Sequence, residues 1–286
     1  MSGRTQDSGV VLVNVLVLLA IAGGLMVLLI SGQERTLDRI SASSDAAIAE
    51  QIALGAEASV VDALRRDMDT APETDHLNEP WALSVVQQET QLPTGRFSVA
   101  VEDLQAKFDI NQLGDLSAGT QAFGTRLMTA LDQPPGTVNQ IVRILQAVGR
   151  ISALEDLTDY GVATETVAAL APHVTALPVP GTVNLNSVEP FLLSVMMQNP
   201  SQSAQLLRLR EGRVMLSLDM LQGVGALRPQ NSGFTSNVYR VDILAEAGSA
   251  SIALRTVLVR RNAAGIKAVD VLERQLRPSA NLPPEK

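Results

Sequence analysis

From residue 10 to residue 30 the chain reads "VVLVNVLVLLAIAGGLMVLLI", with Asn14 its only plainly polar side chain. As an α-helix, a run of this length reaches roughly 31 Å, the thickness of a bilayer's hydrocarbon core. A cleaved secretory signal needs an apolar core of only about 7–15 residues with a small-residue site close behind it. The nearest such site, Ala47-Ile48-Ala49, lies far beyond the run. A single membrane-spanning helix is therefore expected over 10–30. Arg4 precedes the run and Arg35 and Arg39 follow it, so charge alone does not set its orientation.

Beyond Gly32 the pattern changes without a break. Leu37, Ile40, Ile48, Ile52, Ala56, Val60 and Leu64 recur mostly at fours among charged and Ser positions, which is one apolar stripe on a helix. Joined to the oily half, this predicts one helix from residue 10 to about 66, roughly 85 Å long. "TAPETDHLNEP" (70–80) reads as a loop. Strands are predicted over 81–86 and 96–101, joined by the turn "LPTG" at 92–95. The period then becomes helical, with helices expected over 121–131, 138–148, 164–170, 187–197 and 201–210. Ser187 reads as an N-cap, with Glu189 and Pro190 suited to a first turn. Alternation returns over 238–245, 251–260 and 267–272, with "EAGS" and "RNAAG" as hairpin turns. The tail 277–286, rich in Pro, is expected to be disordered.

The fold class that follows is α+β. A long N-terminal helix packs on an antiparallel sheet, and a large all-α domain is inserted between strands. The sheet must draw on strands from both sides of the insert, because a two-stranded ribbon alone is marginal. In segments, 1–9 is a leader, 10–30 the transmembrane half of the helix, 31–103 and 234–276 the α/β body, 104–233 the insert and 277–286 the tail.

Composition narrows the chemistry. Aromatics are 3% of the chain, so aliphatic side chains and Ala must fill the cores. Net charge is −8, and residues 104–228 carry eight Lys/Arg against ten Asp/Glu. "LQGVGAL" (221–227) and "VGRISALEDL" (148–157) resemble helix-hairpin-helix pieces, but phosphate binding wants the opposite charge balance, so no nucleic-acid partner is expected. There is no Cys, hence no disulfide, thiol nucleophile or thiolate metal site. His76 and His173 stand apart, and no nucleophile, base and orienting group gather at a recognisable spacing, so no enzyme is expected. Asp62, Asp67, Asp69, Glu73 and Asp75 lack the alternation and Gly of a calcium loop and read as a solvated acidic face. Arg208, Arg210 and Arg213 around Glu211 read as surface charge, and Asn184 and Asn186 as shaping the approach to a helix.

A short polar leader ending in Gly9, followed by a long apolar helix and an antiparallel sheet, resembles the type IV pilin-like proteins. Most members carry Glu at the fifth mature position, and here that position is Asn14. Within that group the chain is similar to the K family of minor pseudopilins of type II secretion, which lacks that Glu and carries a helical insert. Matching stretches are "EPWAL" (79–83), "VEDLQAKFDIN" (101–111), "LAPHVTALPVPGTVNLNSVEPFLL" (170–193) and "FTSNVYRVDILAEAG" (234–248). The family's longer acidic stretch is reduced here to "LDQPPGTVNQ" (131–140). No cofactor is therefore expected, with calcium the one metal the resemblance leaves open.

The resemblance implies processing by prepilin peptidase between Gly9 and Val10, with methylation of the new terminus. It implies inner-membrane residence with the bulk of the chain periplasmic. Partners implied are minor pseudopilins I and J, other pseudopilins, the inner-membrane secretion platform and secreted proteins. Assembly would use Asn14, Leu37, Ile40, Ile48 and Ile52. A charge in hydrocarbon costs on the order of 2.5–3.5 kcal/mol even on lenient scales, and a tip subunit has no neighbour above whose amine needs neutralising. Asn14 fits that position, whereas a single Asn merely tolerated in an apolar helix is the plainer reading. A membrane-anchored periplasmic binding module, or a hydrolase using carboxylates, is the alternative from another class.

Overall fold

The computed structural model describes residues 6–71, 73–82, 89–212, 215–263 and 265–278. In the first part of the N-terminal helix it describes the side chains of 12–28 and 33 only, then those from 38 onward. Helix α1 runs unbroken over Gln6–Thr70. The strands, in chain order, are β1 (Thr90–Leu92), β2 (Gly95–Asp103), β3 (Phe108–Asp109), β4 (Val174–Thr175), β5 (Val183–Asn184), β6 (Ser232–Gly233), β7 (Val238–Ala247), β8 (Ala250–Ala263) and β9 (Ile266–Pro278).

Five strands form one antiparallel sheet in the order β1-β2-β7-β8-β9. Its register sets Val99 opposite Ile243 and Ile243 opposite Leu254. Along β7, Val241, Ile243, Ala245 and Ala247 are buried while Arg240, Asp242, Leu244 and Glu246 are not, the period of two that one covered face demands. The cover is α1. Ala49, Ile52, Ala53, Ala56, Val60, Leu64 and Met68 share a core with Val99, Tyr239, Val241, Ile243, Leu254 and Leu258. The three alanines let the helix lie close to the sheet, and burial of the stripe, rather than intrinsic propensity, stabilises this half.

Two glycines fix this packing. A Cβ on Gly95 would collide with the carbonyl of Glu246 on the neighbouring strand. Gly248, in the β7–β8 turn, has φ +51°, and a Cβ there would strike the Asp45 carboxylate. That carboxylate accepts from the Ser249 N–H at 2.9 Å and so pins the hairpin to α1.

Between β2 and β7 the chain builds a second cluster around Phe108, Leu127, Ile141, Leu157, Leu170, Leu185, Leu192 and Leu206. Its helices span Ala118–Ala130, Thr137–Val148, Asp156–Asp159, Thr164–Leu170, Pro190–Met197, Pro200–Glu211 and Leu218–Gly223. The insert expected to be all-α is not purely so. Two parallel pairs, β3 with β4 and β5 with β6, join its first and last segments to the stretch 174–184 in its middle, and 3-10 turns lie at Leu104–Ala106 and Ile110–Asp115. A small cluster of Leu104, Leu177, Val238 and Val259 joins it to the sheet.

Other expectations shift. Trp81 and Ala82 lie in a turn rather than starting a strand, and 83–86 fall outside the described residues. Ser187 is not the N-cap it resembles: the helix begins at Pro190 after Glu189, because the Ser187 hydroxyl is spent on Asp103. Strand β9 runs to Pro278, past the expected start of the tail, and 279–286 lie outside the described residues. The expected transmembrane half is helical, and its side chains from 12 to 28 are all exposed. Among the described residues, however, no helix is long and apolar enough to cross a membrane.

Leu64 is fully buried between helix and sheet, whereas Ile40 is 61% exposed. Urea unfolding of the purified chain should show Leu64→Ala costing about 3 kcal/mol. Ile40→Ala should stay within about 0.5 kcal/mol of wild type.

Candidate functional site

Two places in this fold bring together residues singled out in the sequence. The first is a groove of about 610 Å³ along α1, walled on one side by Ser44, Ile48, Gly55 and Ser59 and on the other by Leu92 and Phe97 of the β1–β2 hairpin. Ile48 and Ile52 both line it. Ile52 is nonetheless only 8% exposed and belongs to the chain's own core, and Ile48 is half-buried against that core. Ile40 is exposed above the groove's end. Gly9, Val10 and Leu37 are helical in backbone, but their side chains lie outside the described set. Asn14 is exposed within α1. The stripe is thus divided between internal packing and open surface, which periodicity alone cannot distinguish.

The second place is a buried polar clasp that the sequence reading missed. Asp67 at the end of α1 and Asp75 in the following loop are both buried, not solvated as expected. The reason is Arg260 of β8, which is itself buried. Its Nη2 donates to Asp67 Oδ2 at 2.5 Å, and its Nη1 donates to Asp75 Oδ1 and, at 2.6 Å, to the Tyr239 hydroxyl. Asp75 Oδ2 accepts from the Ser236 N–H at 2.7 Å. The Ser236 hydroxyl donates to Asp103 Oδ2 at 2.6 Å, and Ser187 donates to the same oxygen. Asn184 closes the network, its Nδ2 donating to the Asp75 carbonyl at 3.0 Å and to Ser236 Oγ at 2.8 Å. Asn186 reaches onward, accepting from the Leu216 N–H at 2.7 Å and donating to its carbonyl at 3.2 Å.

The clasp therefore joins α1, the sheet and both ends of the insert. Glu79 sits at its rim, where Oε2 accepts from Trp81 Nε1 at 2.5 Å. Trp81 in turn meets Tyr239 edge-on, ring centroids 5.0 Å apart. Burial pushes the Glu79 carboxyl up to about 7, with Asp67 and Asp75 nearby adding to it. Burial also raises Asp67, against the opposing pull of Arg260, and it raises Asp103. Outside the clasp, Glu57 of α1 is held below its usual range: burial works upward, but hydrogen bonds from Arg274 and Thr256 outweigh it.

Asp67, Asp75 and Glu79 place one oxygen each within 4.8 Å of one another, a spacing that a metal ion could use. The cation already there is the Arg260 guanidinium, which pairs with Asp67 and Asp75 and leaves Glu79 outside the ion pair. The remaining basic candidates are also internal or surface groups. Arg210 donates to the carbonyls of Leu185 and Val188 at 3.1 and 2.6 Å, tying the helix Pro200–Glu211 to the turn that leads into the helix Pro190–Met197. His173 pairs with Glu189, and His76 is pushed below its usual value by burial. Arg213 lies outside the described residues.

The sheet is covered by one long helix, and the chain leaves it after β2 and returns at β7, which pairs with β2. Among solved structures, the chain is similar to a chain of the GspK–GspI–GspJ complex of the enterotoxigenic Escherichia coli type 2 secretion system. The TM-score is 0.61 at 16% identity, over 84% of this chain and 100% of that one. The two share a fold. No protein-family model and no curated protein matches the sequence.

Removing Arg260 would strand two buried carboxylates. Arg260→Met should lower unfolding stability by about 3–5 kcal/mol, read by chemical denaturation. Millimolar calcium should leave the melting temperature of the wild-type protein where it is. A large rise would show that a metal, not the guanidinium, completes this cluster.

Proposed function

We propose that this chain is a minor pseudopilin of type II secretion, a non-enzymatic subunit of a periplasmic filament. The observation that carries the reading is the likeness in fold, over 84% of this chain and 100% of that one, to a chain of the GspK–GspI–GspJ complex. In this reading the full apolar run 10–30, oily on every face, anchors the protein by a single pass in the inner membrane, and the sheet and insert stand in the periplasm. Prepilin peptidase cuts after Gly9, leaving Val10 as the mature terminus. The chain caps the filament tip with minor pseudopilins I and J and helps start its assembly for export across the outer membrane.

Physical reasons support each part. A helix with exposed Leu, Val and Ile all round from 12 to 28 is costly in water and stable in lipid. Its continuation as a rigid α1 keeps the groove beside Ile48 and Ile52 at a fixed height above the membrane. A neighbouring subunit's helix fits that groove, because Ser44, Gly55 and Ser59 leave the α1 backbone approachable.

The leader is the first test. Gly9→Leu should accumulate uncut precursor, because any Cβ crowds the scissile bond; mass spectrometry of the mature N-terminus reads it. A wild-type protein that keeps residues 1–9 in cells would sink the pseudopilin reading. The groove gives a second. A Cβ on Gly55 meets nothing within 4 Å, so Gly55→Leu should hold or raise stability by up to about 1 kcal/mol. It should nevertheless weaken co-purification with minor pseudopilins I and J. Undiminished recovery would remove the groove from the interface.

A further inference from the structure

We infer that Glu79 is a proton-binding site that makes the seating of Trp81, and with it the loop leading out of α1, responsive to pH. Its Oε1 is buried and has no hydrogen-bond partner, while Oε2 holds the indole N–H. His76 Nε2 stands 3.5 Å from Oε1, too far and too poorly matched to satisfy it. His76 is itself pushed toward its neutral form by burial, which weakens it as a counter-charge.

The charges that face this position come from every element around it. Asp67 projects from α1, Asp75 and His76 from the same loop, Asp103 from the end of β2, Tyr239 from β7 and Arg260 from β8. Arg260 is the only cation among them, and both of its terminal nitrogens are taken by Asp67, Asp75 and the Tyr239 hydroxyl. A charged Glu79 would be a further buried anion with no partner, beside two that share one guanidinium. The neutral acid avoids that cost.

The carboxyl titrates near 7 in the folded protein, above its ordinary value. Below the ordinary carboxylate range it is neutral folded or unfolded, and its contribution is fully present. As pH rises toward 7 the seated form loses stability relative to one in which water reaches the carboxylate. Among the described residues, the loop's backbone is tied by Asp75 N–H to the Phe234 carbonyl at 2.8 Å, by Asn184 Nδ2 to the Asp75 carbonyl at 3.0 Å, and by short-range bonds that include Glu79 N–H to the His76 carbonyl. The connection out of α1 is therefore closed on the acid side and loosened on the alkaline side.

The chain has one Trp, so its fluorescence reports this site alone. Titrating the full-length protein in detergent from pH 5 to 9 should shift Trp81 emission to the red, with a single midpoint near neutrality. Glu79→Gln, which keeps an oxygen for the indole N–H, should hold the emission blue throughout. His76→Gln should leave the midpoint in place, and it carries the test even where Glu79→Gln fails to fold. Three results would overturn the assignment: a flat wild-type profile, a midpoint that survives Glu79→Gln, or a midpoint lost in His76→Gln. A midpoint displaced by millimolar calcium or manganese would overturn it too, by giving the site to a metal ion.

Discussion

Arg260 is the constraint on which the arrangement turns. A guanidinium in β8 that is nearly free of solvent has to be matched, and its partners come from the end of α1, the loop after it and β7. The desolvation cost of such a group is several kcal/mol, recovered only if the geometry is good and the remaining lone pairs are satisfied. Here the satisfaction spreads outward, from Asp75 to Ser236 and from Ser236 to Asp103 and Asn184. Because Asp103 closes β2 and Ser236 precedes β7, the same network fixes where the insert leaves the sheet and where it returns. A specific relative placement of helix, sheet and insert thus follows from neutralising one charge.

The sheet makes such an insertion inexpensive. Strands β2 and β7 are hydrogen-bonded neighbours, with Asp103 opposite Tyr239. The chain can leave at the end of one and return at the start of the other without opening the ladder. The insert holds its own apolar cluster and meets the sheet through few apolar contacts, so its seating relies on polar groups. In a filament this geometry has a consequence. Under the proposed function, with every subunit's α1 running in the same direction, a body that carries an extra domain-sized mass beside its sheet would obstruct a neighbour stacked directly above it.

Much of this was legible in the sequence, and the failures have physical causes. The long helix was readable because its apolar run and its stripe are both unambiguous; so were the insert helices over 138–148 and 164–170, whose periodicity is regular. The hairpins at 92–95 and 246–249 announced themselves through Gly. Strand alternation over 238–245 gave the buried face of β7. The clasp was not legible. Asp67 and Asp75 look like members of an acidic surface, and what buries them, Arg260, is 185 residues beyond Asp75. Asn184 and Ser187 have the composition of a helix approach, and only tertiary contacts turn them into partners of Asp103. The short parallel pairs β3–β4 and β5–β6 are two residues each, too brief for any period to register. For the groove, the period identified Ile48 and Ile52 but could not say that the sheet had already claimed Ile52.

The proposed function makes a bulky insert confine such a subunit to the end of a filament, and position is its most direct test. Assembled pseudopili would be labelled with an antibody fragment raised against residues 120–220 and viewed by negative-stain electron microscopy. The account predicts label at one end of each filament, distal to the membrane, with a single copy per filament. Label distributed along the shaft would contradict it.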